Sequence, residues 1–221
     1  MSKTEILGNI RRGLKRGPAS DSQREAVLTR LAQHKRNLIP MRSQLPKEEQ
    51  ITLFINMARE AAAEVIELEN INEVPAVCAT WLKNKGIAEL NMASDPEISH
   101  LDWSQAQGIT CEQRVAQVGD PASLTTSFAG IAETGTLMLK SGATSPTTLN
   151  FLPDNHFVIL KRSDIVGPYE DAWQKLREAT QNNLPRTVNM ITGPSRSADI
   201  EQKLQMGAHG PKELIILLIN Q

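Results

Sequence analysis

The chain is poor in cysteine and aromatic residues and has no long apolar run, and each shortage removes a class of function. Its 221 residues include two cysteines, Cys78 and Cys111, 33 positions apart. Structural zinc and iron–sulfur clusters need several ligands at paired spacing, so these two read as reduced, buried thiols. The four histidines, His34, His100, His156 and His209, are too scattered to mark a metal site. No stretch approaches the roughly 20 apolar residues of a membrane-spanning helix, so no transmembrane segment is expected. The opening "MSKTEILGNIRRGLKRG" lacks the unbroken apolar core of a secretory leader, and a cytoplasmic location is the expectation. Also missing are G-x-G-x-x-G after a strand, G-x-x-x-x-G-K-[ST], H-E-x-x-H, G-x-S-x-G and C-x-x-C. Rossmann and P-loop nucleotide binding, zincin chemistry and serine hydrolysis lose weight accordingly.

What is present is an ordinary globular composition, 40% apolar and 22% charged, with an uneven charge. Residues 1–42 hold 10 Lys/Arg against 3 Asp/Glu, or +7, which leaves 14 against 22, or −8, for the rest. Such a basic arm can bind nucleic acid, but its cations lack interleaved aromatics and the acidic remainder repels phosphates. No nucleic-acid partner is expected. A basic helical face that docks on an acidic protein surface fits the same numbers.

Ile6, Leu7, Ile10 and Leu14 keep helical spacing, as do Val27, Leu31 and Leu38, with "GPASDS" between the two helices and Asp21 or Ser22 as the second cap. A third stripe, Ile51, Phe54, Ile55, Ala58, Ala62 and Val65, opens after Pro46 with Glu48 and Glu49 in its first turn. Residues 1–45 therefore read as a helical extension and 46–221 as the main domain. From about Val65, β-prone runs alternate with helical patterns: "EVIEL", a helix with Val74, Val77, Cys78, Trp81 and Leu82, "AELNMA", "GITCEQ", "FAGIAET", "GTLMLKS", a turn-rich "GATSPTTLNFLP", "HFVILK", a helix with Tyr169, Ala172, Trp173 and Leu176, "TVNMIT" and "ELIILLIN". Apolar strands separated by helices predict an α/β fold around a largely parallel sheet covered on both faces.

Three polar clusters fall at predicted strand ends, where open α/β sheets gather ligands. In "AGIAETGTLML", Glu133, Thr134, Gly135 and Thr136 interrupt a strand-like run. Glu133 reads either as a turn residue bonded to backbone amides or as a carboxylate serving as base, nucleophile or ligand anchor. In "LPDNHFVILK", His156 stands just before a strand, as a structural residue or a base. In "ITGPSRSADIEQK", Gly193, Pro194 and Ser195 stop a strand, and Asp199 with Gln202 resembles a helix cap pair that leaves N–H groups free for an anion. Ser197 and Glu201 are not explained by a cap. "MGAHGPKEL" then shapes a turn around His209 with Gly207, Gly210 and Pro211. Convergence of these loops would line one pocket with Glu133, His156, Ser195 and His209.

Taken together, "IAETGTLML", "FLPDNHFVIL" and "ITGPSRSADIEQKLQMGAHGPKELIILLI" resemble the LUD domain of the lactate utilisation protein C (YkgG) family, from about Glu48 to the C-terminus. Ser197 stands where Thr is commoner and Ala208 where Val is commoner. The resemblance implies a three-layer α/β/α domain similar to ribose-phosphate isomerases and CoA transferases. It implies a bacterial role in oxidising L-lactate to pyruvate, as the component without clusters beside two iron–sulfur partner proteins. A small carboxylate, lactate or pyruvate, would be the ligand. The signature residues are Glu133, Thr134, Gly135, Thr136, Pro153, His156, Gly193, Pro194, Ser195, Asp199, Glu201, Gly207, His209, Gly210 and Pro211. Glu133, His156 and His209 are the candidate catalytic groups; Thr134, Gly135, Thr136, Gly193, Pro194, Ser195, Ser197, Asp199, Glu201, Gly207 and Gly210 are the candidate substrate contacts. No metal or cofactor is expected in this chain. The alternatives are an acyl-CoA transferase-like or ligase-like enzyme with Glu133 as nucleophile, and a non-catalytic scaffold that docks through its basic helices.

Overall fold

The structure, a computed structural model, describes residues 2–200, 203–206 and 210–221, and of 197–200 and 203–206 the backbone alone. Two compact units divide the chain, Met1–Leu38 and Ile39–Gln221. The first contains helices α1 (Lys3–Gly13) and α2 (Asp21–Gln33). Each starts with a capping box, in which a serine hydroxyl and a residue three positions on satisfy two amide donors reciprocally. The pairs are Ser2 with Glu5 and Ser20 with Gln23. The second cap is therefore Ser20, not Asp21 or Ser22. Ile6, Leu7, Ile10, Leu14, Val27, Leu28 and Leu31 are all exposed.

The second unit opens with α3 (Lys47–Glu60), whose Ile51, Phe54, Ile55 and Ala58 are buried at i, i+3, i+4 and i+7. There follow β1 (Glu64–Leu68), α4 (Val74–Asn84), β2 (Glu89–Met92), the single turn α5 (Pro96–Ser99), β3 (Thr110–Glu112), β4 (Ala122–Thr126), β5 (Ala129–Ile131), β6 (Thr136–Lys140), β7 (Asn155–Lys161), β8 (Ile165–Val166), α6 (Tyr169–Thr180), β9 (Val188–Ile191), β10 (Arg196–Ile200), β11 (Lys203–Met206) and β12 (Glu213–Ile219).

Six strands form a parallel sheet in the order β1-β12-β7-β4-β2-β3. This is the expected α/β fold, a parallel sheet flanked by helices. Strand β12 lies between β1 and β7, and six of its seven residues are buried, which is why "LIILLI" shows no polar alternation. On one face Val74, Cys78 and Leu82 of α4 pack with Leu90, Leu124, Phe157, Ile215 and Leu217. On the other, Phe54 and Ala58 of α3 pack with Val158, Leu160, Ile216 and Leu218, and with Leu137 and Leu139 of β6. Each fully buried Leu, Ile or Phe contributes about 1.5–3 kcal/mol, so these two clusters dominate the stability of the unit.

A second sheet, β8-β5-β6-β9, shares that second face with α3, an addition to the single sheet expected. Its outer side is covered by Ala172 and Leu176 of α6. The β10–β11 pair is a separate antiparallel hairpin, with Arg196 opposite Met206 and Ser197 opposite Gln205. That arrangement corrects the helix expected from Asp199: Arg196–Ile200 is strand, and no helix N-terminus forms beside Ser195 and Ser197 among the described residues.

Candidate functional site

Connections leaving β1 and β2 run through α4 and α5 on one face of the parallel sheet, whereas β4 leads into the second sheet on the opposite face. β2 and β4 are neighbours, so the chain changes sides between them. Parallel sheets open a crevice at such a switch point, beyond the carboxyl ends of the two strands. A cleft of about 310 Å³ lies there, lined by Asp95 and Glu97 after β2, by Thr126 at the end of β4 with Ser127 and Phe128 after it, and by Lys140, Gly142, Thr144, Asp164 and Lys175.

The walls of this cleft are held by defined bonds. The Asp95 carboxylate accepts from the Thr126 hydroxyl at 3.0 Å and from the Thr144 hydroxyl at 2.5 Å. The Ser94 amide donates to the Thr144 carbonyl at 2.8 Å, which fastens the 141–146 loop to the end of β2. Buried Ser127 shares its hydroxyl between the Ala129 and Met138 carbonyls at 2.9 and 3.1 Å, where the chain passes from one sheet to the other. The Lys175 ammonium pairs with Asp164 at 2.6 Å and lies 5.2 Å from the Phe128 ring centre. Lys161 pairs with Glu97. The Lys140 ammonium lies 4.9 Å from the Phe128 ring centre, a cation–π contact, and forms no ion pair among the described residues.

The signature residues gather elsewhere. Glu133 is half-buried in the β5–β6 turn, and its amide donates to the Gly167 carbonyl at 3.1 Å. The Thr134 and Thr136 hydroxyls meet each other at 2.6 Å and the Tyr169 hydroxyl at 2.8 and 2.9 Å, and Thr136 also meets Thr192 at 2.6 Å. Gly135 has φ +65°, and a Cβ there would stand 2.2 Å from the Ala58 nitrogen. Gly193 has φ +69°, and a Cβ there would stand 2.1 Å from the Ala61 carbonyl oxygen. Only glycine allows both the left-handed backbone and that approach. Both turns thus close on the end of α3. Buried Pro194 leads to Ser195, whose amide donates to the Pro211 carbonyl at 2.8 Å beside Gly210, just ahead of β12. Ser197 and Asp199 lie on β10; Glu201, Gly207 and His209 lie outside the described residues.

His156 is the second residue of β7, not a residue ahead of the strand. It is fully buried between Ser123 and Leu214 in register, with Nε2 2.8 Å from the Thr125 hydroxyl. Its Nδ1 is buried and finds no hydrogen-bond partner among the described residues. Burial away from any counter-charge pushes its pKa down to about 3, so the imidazole is neutral.

Glu133 and the cleft occupy opposite ends of the β5–β6 hairpin: at about 3.3 Å per residue, Phe128 and Glu133 are at most about 16 Å apart along it. The structure therefore brings the Glu133–Thr136 turn and Gly193–Ser195 to one helix end, and leaves His156 inside the sheet. Of the single pocket expected from sequence, Glu133 and Ser195 fall in this glycine-pinned frame, His156 stands apart from it and His209 lies outside the described residues; the charged cleft contains none of the four.

Another recess, of about 210 Å³ at the amino ends of β2 and β3, contains Asp120 and Arg114. Asp120 accepts two bonds from Arg114 at 2.8 Å, one from the Gln117 amide and one from Asn91. Arg114 chiefly holds its pKa down near 2. With its oxygens so engaged, Asp120 serves the loop.

Sequence reasoning did not single out Asp95, Thr126, Ser127, Lys140, Thr144 or Lys175. One signal was available: the run "KSGATS", small and hydroxylic directly after a buried strand, is cheaper as loop than as core and offers ligand-facing hydroxyls.

Fold and cleft together define an α/β domain of the parallel-sheet class with a crevice at its switch point. The chain belongs to the LUD domain family, whose family model matches residues 51–219. A protein of Neisseria meningitidis is 42% identical over 90 residues, covering 41% of this chain and 38% of that protein, well under two thirds of its length. Lactate utilization protein C of Macrococcus caseolyticus is 30% identical over 165 residues, 73% of this chain and 67% of that protein. The Escherichia coli protein YkgG is 26% identical over 235 residues, 99% of this chain and 98% of its own. A crystal structure of a DUF162 family protein from Deinococcus radiodurans superposes with a TM-score of 0.59 at 18% identity, over 79% of this chain and 99% of that one, which shows the shared fold.

Proposed function

We propose that this protein acts in lactate utilisation, as the component that holds a small carboxylate while electrons pass to iron–sulfur clusters of two partner proteins. The observation that carries this reading is the similarity to lactate utilization protein C of Macrococcus caseolyticus over 73% of the chain. Oxidation of lactate to pyruvate removes a proton from the hydroxyl and a hydride equivalent from the α-carbon, so it needs an acceptor group and an electron sink. Cys78 is buried on α4, where burial raises its thiol pKa, and Cys111 lies near it on β3, two thiols against the several that a cluster needs, which supports assigning the clusters to the partners. Burial of His156 favours a structural part for it. The frame around Glu133, Gly135 and Gly193 supports a scaffold that fixes the second sheet to α3.

Deleting the gene should abolish growth on L-lactate and spare growth on glucose. Undiminished growth on lactate would remove the reading. Leave-one-out assays with the three purified proteins and an artificial electron acceptor would then show whether this component is required for turnover.

The first unit supports a docking part within the same system. Ile6, Leu7 and Ile10 of α1 and Leu14 at its C-cap are exposed, with Arg11, Arg12, Lys15 and Arg16 close in sequence, a pattern suited to an acidic protein surface. Co-purification with the iron–sulfur proteins should weaken with salt and be lost on removing residues 1–38.

A further inference from the structure

We infer that the carboxyl-end cleft between β2 and β4 is a binding site for a short α-hydroxy acid anion, with Lys140 receiving the carboxylate and Asp95 the hydroxyl. The inference rests on the lactate reading for the choice of hydroxy acid; the site itself rests on how the charges of the cleft are paired.

Five charged side chains line the cleft: Asp95, Glu97, Asp164, Lys140 and Lys175. Glu97 is answered by Lys161, and Asp164 by Lys175. Among the described residues, two charges then stay without an opposite partner. Lys140 rests over the Phe128 ring, which steadies an ammonium without neutralising it. Asp95 is held by two neutral hydroxyls, from Thr126 and Thr144, and each carboxylate oxygen keeps a further lone pair. A complementary ligand therefore brings one anionic group and one hydrogen-bond donor.

Size narrows the class. At about 310 Å³ the cleft is at the lower end of ligand pockets, which run from about 300 to 1,000 Å³. A C3 or C4 acid fits; a dinucleotide or an acyl-CoA does not. Position agrees, since this is the crevice that parallel sheets offer at a change of connection side. Both anchors are fixed from behind, Asp95 through the Thr126 and Thr144 hydroxyls and Lys140 through its place at the end of β6, one residue beyond buried Leu139. A keto acid would satisfy Lys140 but offer Asp95 only an acceptor; an amino acid would bring an ammonium to Asp95, also a donor, so the choice of lactate over alanine rests on the lactate reading.

The test is titration calorimetry of the full chain with L-lactate, pyruvate and L-alanine, on the wild type and on Lys140→Ala, Asp95→Asn and Lys83→Ala. Lys83 is an exposed lysine on α4 that does not line the cleft, and it controls for loss of a positive charge. Expected are measurable L-lactate binding, weaker pyruvate binding, and loss of about tenfold or more in lactate affinity for Lys140→Ala. Asp95→Asn should erase the preference for lactate over pyruvate, with melting temperature recorded to show that the variant folds. Lys83→Ala should bind as the wild type does. No lactate binding by the wild type, unchanged affinity in Lys140→Ala, or an equal or stronger affinity for pyruvate would each overturn the site, and tighter binding of L-alanine would overturn the choice of a hydroxy acid. Complementation of the deletion strain separates this from the lactate reading. If the deletion strain grows on lactate, the reading fails and calorimetry alone decides the site; if it does not grow and Lys140→Ala restores full growth, the site fails and the reading stands.

Discussion

The frame at the end of α3 and the cleft at the carboxyl edge of the sheet belong to one hairpin, yet they are built on opposite terms. The frame is close-packed: two left-handed glycines press backbone against backbone, and four hydroxyls satisfy one another around Thr136. The cleft is open and charged, with Lys140 exposed and Asp95 half-buried. A motif such as Glu-Thr-Gly-Thr is conspicuous because packing restricts it position by position. A cleft of independent side chains leaves no such local mark. The lesson is that the conspicuous motif identifies the family and the scaffold, while the ligand-facing groups have to be found from topology.

Four measurements would break or sharpen that contrast. Gly135→Ala or Gly193→Ala should destabilise the fold most, by about 2–4 kcal/mol, because the new Cβ meets backbone atoms and the left-handed φ is strained at once. Urea denaturation would show it, and an unchanged midpoint would mean that the frame yields easily.

The next largest effect concerns His156 and pH. Its pKa is about 3 when folded and the ordinary 6.5 when unfolded, so below 6.5 the unfolded chain takes up a proton that the folded chain does not. Stability is complete above pH 6.5 and falls as pH drops from there toward 3, by about 2 kcal/mol at pH 5 relative to pH 7. His156→Gln should flatten that slope; a slope equal to the wild type's would show that other groups carry it.

Asp95→Ala should cost about 1 kcal/mol, since it frees the Thr126 and Thr144 hydroxyls and loosens the 141–146 loop, with hydrogen exchange rising at Ser94. Lys140→Ala should be the mildest in stability, within about 0.5 kcal/mol, despite its expected effect on ligand binding. A large stability loss there would place Lys140 in the frame rather than in the cleft.

Much of the fold was legible because its strands are uniform. "EVIEL" and "ELIILLIN" read as β1 and β12, and the stripe of α3 read as a helix. The central strand β4 did not, because "ASLTT" carries three hydroxyls and looks like loop. Two of them, Ser123 and Thr125, are buried and answered by the Leu149 carbonyl and His156. Their polarity is cancelled by partners 26 and 31 residues away, which no local window contains. Asp199 and Gln202 imitate a helix cap, but backbone pairing with Lys203–Met206 prevails over that local preference. The cleft was unreadable for a related reason: Asp95, Ser127, Lys140 and Lys175 come from four elements and meet only because the chain changes sides after β2.

The β5–β6 hairpin has a last consequence. Its tip is clasped by the end of α3 at Gly135, and its other end presents Lys140. The ribbon works as a lever whose fulcrum is one missing methyl group. Wear at that fulcrum would be felt as a misaimed ammonium a hairpin's length away, so a fault in the scaffold can pass for a fault in recognition.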